Sequence, residues 1–313
     1  MKISFVIPCY NAAENIGLVL EEIHLSMEQR PETDYEVIMV NDCSRDQTAS
    51  VIGEMARRDP HLVLVDLAGN VGQANAILCG LNYVTGDYVM TSDDDGQTPV
   101  GRVFDFLEEL EKGYDVVCAR YVRRDQPSGF RRLGSVLNRA MSDWLIEKPK
   151  GTYMAAVFMA RRFVTDEMIR YRQPYSYISG LILRITKNVG NLDVEQRGRA
   201  SGQSGYTLKK LLALWMNGFT AFSIKPLRLC ARAGALSAAV SFLAGLVTLL
   251  AKLLAPGVAV LGFVILEALF FTCGLQLLFL GLVGEYIGRI YMCINQSPQY
   301  VVKELVRYEG EKE

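Results

Sequence analysis

Up to about residue 205, short apolar runs alternate with longer stretches whose apolar positions recur at helical spacing. Residues 3–8, 36–40, 62–66, 88–92 and 116–119 are the apolar runs, and 15–27, 49–58, 72–84 and 103–112 are the amphipathic stretches among them. Runs of this length read as strands, and the intervening periodicity reads as helices. The alternation predicts an α/β domain with a mostly parallel sheet covered on both faces. In such sheets ligands collect beyond the carboxyl ends of the strands. Polar clusters fall at those ends: Pro8-Cys9-Tyr10-Asn11, Asn41-Asp42-Cys43-Ser44 and Asp93-Asp94-Asp95-Gly96-Gln97.

The pattern then changes. From Ala233 to Gly288 the only charged residues are Lys252, Glu267 and Glu285. Residues 233–251 are nineteen consecutive apolar or small residues, enough to cross ~30 Å of hydrocarbon as a helix. Pro256-Gly257 supplies a turn, and 258–284 is a second run broken only by Glu267 and Gln276. Soluble helices need a polar stripe, so the expectation is a transmembrane hairpin within 230–290, with spans at about 232–254 and 258–284. Residues 208–229 mix Leu211, Leu212, Leu214, Trp215, Phe219 and Phe222 with Lys209, Lys210 and Lys225. That mixture suits an interfacial juxtamembrane helix, with a core helix of the soluble domain as the alternative. The α/β domain is then 1–207, and 291–313 is a cytoplasmic tail.

Charge orients the hairpin. Lys225, Arg228 and Arg232 precede the first span, and Arg289, Lys303 and Arg307 follow the second. The positive-inside rule places both termini, and the α/β domain, in the cytoplasm. The amino terminus reads as a strand, not a cleavable signal. Seven cysteines without paired spacing fit a reducing compartment. Glu267 is costly inside a span unless it is paired. Lys252 across the turn is one partner, and a second subunit covering it would make a homo-oligomer. A net charge of −1 argues against nucleic-acid binding, and 50% hydrophobic content excludes disorder. Only two histidines, His24 and His61, leave little room for a histidine-rich metal site or a Ser-His-Asp triad.

The triple aspartate carries the chemistry. Three adjacent carboxylates repel one another, and a divalent cation offsets that cost most simply. Asp93 and Asp95, two apart at a strand end, can point to one side, and Gln97 can add a third oxygen. Mg²⁺ or Mn²⁺ favours such donors together with substrate phosphates. An acidic solvated turn is the bland alternative.

Along the chain stand Val6-Ile7-Pro8-Cys9-Tyr10-Asn11, Val40-Asn41-Asp42-Cys43-Ser44-Arg45-Asp46-Gln47-Thr48, Gly69-Asn70-Val71-Gly72 and Asp93-Asp94-Asp95-Gly96-Gln97-Thr98-Pro99. After them come Ala119-Arg120-Tyr121, Arg199-Ala200-Ser201-Gly202-Gln203-Ser204, Phe222-Ser223-Ile224-Lys225-Pro226-Leu227-Arg228 and Leu282-Val283-Gly284-Glu285-Tyr286-Ile287-Gly288-Arg289-Ile290-Tyr291. In the order and spacing of these segments the chain resembles family 2 glycosyltransferases, specifically the membrane-anchored polyprenyl-phosphate glycosyltransferases that include dolichyl-phosphate mannose synthase.

The resemblance implies a GT-A (Rossmann-like) fold holding a UDP- or GDP-linked sugar. Pro8 and Tyr10 would pack on the base, with Asn11, Val40 and Asp42 beside it. Asn70, Gly72, Asp94 and Ser204 would complete the donor site. Asp93, Asp95 and Gln97 would hold the metal, while Arg120 and Arg199 meet phosphates. Asp95, Arg120 and Arg199 would form the catalytic set. On residue type alone, Pro8 and Tyr10 read rather as a strand-end turn with a core tyrosine, while Asp42 reads equally as a cap of the helix that follows and either arginine as a surface ion pair.

The implied reaction is inverting, metal-dependent transfer to polyprenyl phosphate, in particular undecaprenyl phosphate at a bacterial inner membrane, for cell-surface glycan synthesis or modification. The departing diphosphate would shed charge onto metal and cations. A phosphate monoester has a second pKa of about 6, so the acceptor is largely dianionic at neutral pH and needs no general base. The segment where many relatives carry an aspartate reads Gly151-Thr152-Tyr153-Met154-Ala155-Ala156-Val157-Phe158, and no base is assigned. Ala12 stands where relatives often have Glu. Gly205 stands where they commonly have Lys, with Lys209 or Lys210 one turn on. These departures imply a branch with its own sugar or acceptor preference. Two other readings remain: a transferase using a lipid-linked or soluble saccharide acceptor, and a non-catalytic membrane partner protein. The intact Asp93/Asp95 pair argues against the second.

Overall fold

The computed structural model describes residues 1–97, 100–122, 148–149, 151–195, 225–254, 261–295, 298–308 and 310. They fall in two units, Met1–Leu212 with Gln296–Glu313, and Ala213–Asn295.

In the first unit β1 (Lys2–Cys9), α1 (Ile16–Met27), β2 (Asp34–Asn41), α2 (Thr48–Ala56), β3 (Leu62–Leu67), α3 (Gln73–Leu81), β4 (Tyr88–Thr91), α4 (Val103–Glu111) and β5 (Val116–Val122) alternate as the sequence predicts. After them come β6 (Phe158–Arg161), α5 (Arg162–Met168), α6 (Ile178–Ile185) and β7 (Val189–Glu195). A last strand, β8 (Val302–Arg307), joins the same sheet, whose order is β7-β5-β6-β4-β1-β2-β3-β8. Two expectations change here. The sheet is mixed, because β6 runs antiparallel to β4 and β5, and β8 antiparallel to β3. And the tail expected over 291–313 contributes a sheet strand.

One row of paired residues crosses seven strands: Gly190, Val117, Met159, Met90, Phe5, Val37 and Leu62. All are buried, and Phe5, Phe106 and Phe158 anchor the core as its largest enclosed rings. Helix α3 lies directly on the sheet at Gly80. A Cβ there would stand 2.5 Å from Val6 Cγ1 and 3.0 Å from Val40 Cγ2, so only glycine allows this approach.

At the amino ends of the strands Glu36 is held by the Ser4 hydroxyl, by the Thr85 amide and hydroxyl, and by Lys2. Burial raises its pKa, but these donors together outweigh burial and hold the carboxyl below the usual range. A depressed folded pKa contributes stability above the ordinary glutamate range, and that stability is lost as pH falls through the folded value. The melting temperature of the detergent-purified protein is therefore expected to fall as the pH drops below about 4. Glu36→Gln should cost about 1–3 kcal/mol at neutral pH and flatten that acid limb. Parallel melting curves of the two proteins across pH 3–7 would refute the assignment.

The second unit contains α7 (Lys225–Leu254) and α8 (Leu261–Ile294). Both outrun the apolar stretches read from sequence, because the helices continue into their charged flanks at Arg228 and Arg289. They touch at Gly234 and Phe279, where a Cβ on the glycine would meet the ring at 3.5 Å. These positions are nearly equidistant from the 255–260 connection, as in a hairpin. Leu236, Leu269, Phe271, Leu277 and Leu280 face outward. Among the described residues, Phe271–Ile294 is long and apolar enough to cross a membrane, with a mean hydropathy of 1.6 over its most apolar 18-residue window. Of the interfacial helix expected over 208–229, only 225–229 are described, as the first turn of α7. The Lys252 and Glu267 side chains, and the Pro256-Gly257 turn, lie outside the described residues.

Candidate donor site

Strands β1–β5 and β7 point the same way, so positions beyond the buried row emerge on one edge of the sheet. Asp93 lies three positions past Met90, Tyr10 five past Phe5, Asn41 four past Val37, and Arg120 three past Val117. The polar clusters that the sequence scatters over the chain therefore meet at one rim. Both histidines sit at the opposite edge, where His24 pairs with Asp59 and Tyr35, and His61 stacks on Tyr35.

The loops after β1 and β2 are stitched together. Asn11 adopts a left-handed backbone (φ 54°). Its N–H donates to Ser44 Oγ at 3.0 Å, and its side-chain oxygen accepts from the Arg45 amide at 2.9 Å. The Ala12 and Ala13 amides donate to Thr48 Oγ1 and Asp46 Oδ2. Asp46 also accepts from the Thr48 amide and hydroxyl, starting α2. Burial opposes ionisation of Asp46, but these donors prevail and depress its pKa. Asp46 and Thr48 are not among the expected site residues, although an Asp two residues before a Thr at a helix start is the signal of such a turn.

Of the residues expected around a base, Tyr10 presents its ring, 44% exposed, and Asn11 is also at the surface. Pro8 and Val40 pair with each other inside the sheet and are buried, so they shape the floor from beneath. Asp42 is buried too, and it does not cap α2. Its two oxygens accept from the Val71 amide at 2.7 Å and the Gly72 amide at 2.9 Å, while Asn70 donates to its carbonyl at 3.0 Å. Gly72, at φ 83°, opens α3. Burial pushes the Asp42 carboxyl up, and the two amides pull part of that shift back. Asp42 thus fastens the Asn70–Gly72 loop to the end of β2.

The three aspartates divide their work. Asp94 accepts from the Tyr10 amide at 2.8 Å, tying β4 to β1. Asp93 accepts from Gln73 Nε2 at 2.8 Å, and Asp95 from the Gln97 amide at 3.1 Å across a turn with Gly96 at φ 68°. Gln97 thus meets Asp95 as a backbone donor. No three His, Cys, Asp or Glu side chains among the described residues converge to hold a metal by themselves. Asp93 and Asp95, two residues apart beyond β4, are hard oxygen donors of the kind Mg²⁺ or Mn²⁺ takes, with the rest of the shell left to phosphate oxygens and water.

Arg120 grips Asp193 on the paired strand β7 with both Nε and Nη2, the latter at 2.8 Å, and its hydrogen bonds hold the Asp193 carboxyl below the usual range. The ion-pair alternative is the arrangement present. A cavity of about 460 Å³ opens beside it, lined by Arg120, Tyr121, Val122, Lys148, Gly151, Thr152 and Tyr153. The segment leading into β6 runs along β4, where Thr91 Oγ1 donates to the Ala156 carbonyl at 2.6 Å, and it brings no carboxylate. Arg199, Ser204, Lys209 and Lys210 lie outside the described residues.

Residues 4–172 match the family described as Glycosyl transferase family 2. The chain belongs to that family. Residues 225–290 of this glycosyltransferase match the GtrB C-terminal hairpin. It is 32% identical over 312 residues to the undecaprenyl-phosphate 4-deoxy-4-formamido-L-arabinose transferase of Photorhabdus laumondii, covering 97% of this chain and 94% of that one. The protein of the same name from Proteus mirabilis is 33% identical with the same coverage. Mannosyl-3-phosphoglycerate synthase from Rubrobacter xylanophilus superposes with a TM-score of 0.51 at 21% identity, covering 74% of this chain and 75% of that one. The glycosyltransferase thus has a GT-A-like α/β fold built on a mixed sheet.

Proposed function

We propose that this glycosyltransferase moves a sugar from a nucleotide-sugar to undecaprenyl phosphate, in a single inverting displacement at the cytoplasmic face of a bacterial membrane. The observation that carries the reading is the end-to-end likeness to named undecaprenyl-phosphate transferases, which spans the site and the hairpin alike.

Tyr10 and Asn11 would receive the base at the tips of β1 and β2. The Asn70–Gly72 loop, fixed by Asp42, would lie alongside. Asp93 and Asp95 would hold a divalent cation that neutralises the departing diphosphate. The cavity beside β5 gives room for the sugar and the acceptor phosphate, whose own charge makes it the nucleophile without a protein base.

The return of the chain supports a two-span anchor. A chain that leaves a domain on one side of a bilayer and comes back to it has crossed an even number of times. Strand β8 follows α8 in sequence and pairs with β3, so if the apolar stretch of α8 is one crossing, α7 is the other.

Purified protein is incubated with Mn²⁺, undecaprenyl phosphate and a panel of radiolabelled UDP- and GDP-sugars that includes nucleotide-linked 4-deoxy-4-formamido-L-arabinose. Label in the organic phase for at least one donor, dependent on the lipid, is the expected result. Label only in water-soluble product would place the acceptor elsewhere, and none for any donor would overturn the reading.

A further inference from the structure

We propose that the strand following the hairpin is a working part of the donor site: Lys303 on β8 is a positioning residue for the Tyr10–Asn11 loop, acting through Asp66, Asn41 and Ser44. The proposal rests on the reading of that loop as the donor site.

Between β3 and β8 the register slips. Asp66 faces Glu304 and Leu67 faces Val302, so Lys303 is the extra residue of a bulge. Bulges re-aim a side chain that regular pairing would point elsewhere. Here the bulge brings Lys303 Nζ to 3.2 Å from Asp66 Oδ2. Asp66 is buried, and a buried carboxylate needs a counter-charge and filled hydrogen bonds. Its other oxygen accepts from Asn41 Nδ2 at 2.6 Å. That bond fixes the Asn41 amide so that Oδ1 faces Ser44, accepting from its amide at 3.3 Å and its hydroxyl at 2.5 Å. With its proton committed to Asn41, the Ser44 hydroxyl offers a lone pair, which takes the Asn11 N–H. Each link has one polarity, and the series runs from an exposed cation on β8 to a left-handed asparagine at the tip of β1. A non-glycine residue keeps that backbone only where its surroundings hold it. Asp66 and Asn41 are themselves buried, so Lys303 is the link that can be changed from outside.

The test uses the full-length protein in detergent, comparing wild type with Lys303→Met, Lys303→Arg and, as a control on the same strand, Glu304→Gln. Hydrogen–deuterium exchange is followed at the Asn11 and Arg45 amides, and donor KM and kcat are measured with the nucleotide-sugar giving the highest transfer rate in the panel above. Lys303→Met should speed exchange at both amides at least about threefold and raise donor KM about tenfold, a loss of about 1.4 kcal/mol of binding, with kcat within about twofold. Lys303→Arg should restore both readouts, and Glu304→Gln should leave both unchanged. Exchange at wild-type rates in Lys303→Met overturns the positioning role. Faster exchange with an unchanged KM overturns instead the reading of the loop as the donor site.

Discussion

Asp95→Ala is expected to lower sugar transfer by at least about a thousandfold while leaving the melting temperature near that of the wild type. The size follows from the role proposed for the carboxylate. The nucleoside diphosphate leaves with charge that must be met at the moment the bond breaks, and losing one such electrostatic stabiliser costs about 10²–10³ in rate. On the proposed reading Asp95 would also hold the cation, and its loss would cost at least as much. The fold should tolerate the change, since Asp95 lies in the loop beyond β4, where it accepts from the Gln97 amide two residues on. Initial rates at saturating donor and lipid, with a melting curve on the same preparation, check both parts. A residual rate above about one tenth of wild type would remove Asp95 from the chemistry.

Asp42→Ala should act differently, through geometry. It strips the acceptor from the Val71 and Gly72 amides and frees the loop before α3. Hydrogen bonds to a charged acceptor are worth about 1.5–3 kcal/mol each. Burial of the carboxylate works against ionisation here, so the net stability loss should be about 1–3 kcal/mol. Because the pKa is raised in the fold, the cost of ionised Asp42 is absent below the ordinary aspartate range and grows as pH rises through the folded value. The variant should therefore lose least stability near neutral pH and most in acid. Donor KM should rise about tenfold with kcat within a few-fold. Equal KM values in the two proteins would detach the loop from donor binding.

The strands β1–β5 and helices α1–α4 were legible because each buries one face against the next, and that requirement writes itself into apolar spacing. β6 escaped because Phe158–Arg161 closes a longer apolar run, Met154–Ala160, most of which is loop, and passes straight into α5 without a turn residue between them. β8 escaped because an edge strand carries charge on the face it shows to water, and Val-Lys-Glu-Leu-Val-Arg looks like a tail. At the site, the residue types told where polar groups gather but not what they hold. Asp42 reads as a ligand for a base or as a cap for α2, and only the folded backbone shows that it serves the loop 29 and 30 positions on. Arg120 was open between phosphate and ion pair because its partner, Asp193, lies 73 residues away on a strand the pattern did not mark.

The late arrival of β8 also bears on how the protein is made. Until synthesis has passed both long helices, β3 has no neighbour on its outer side, and Leu62-Val63-Leu64-Val65-Asp66-Leu67 is a β-prone, nearly uncharged segment with an open row of backbone donors and acceptors. Such a segment templates pairing with other chains. A version cut before the hairpin to obtain a water-soluble domain would keep that edge bare permanently. Joining 298–308 back to the shortened chain is the design that closes it.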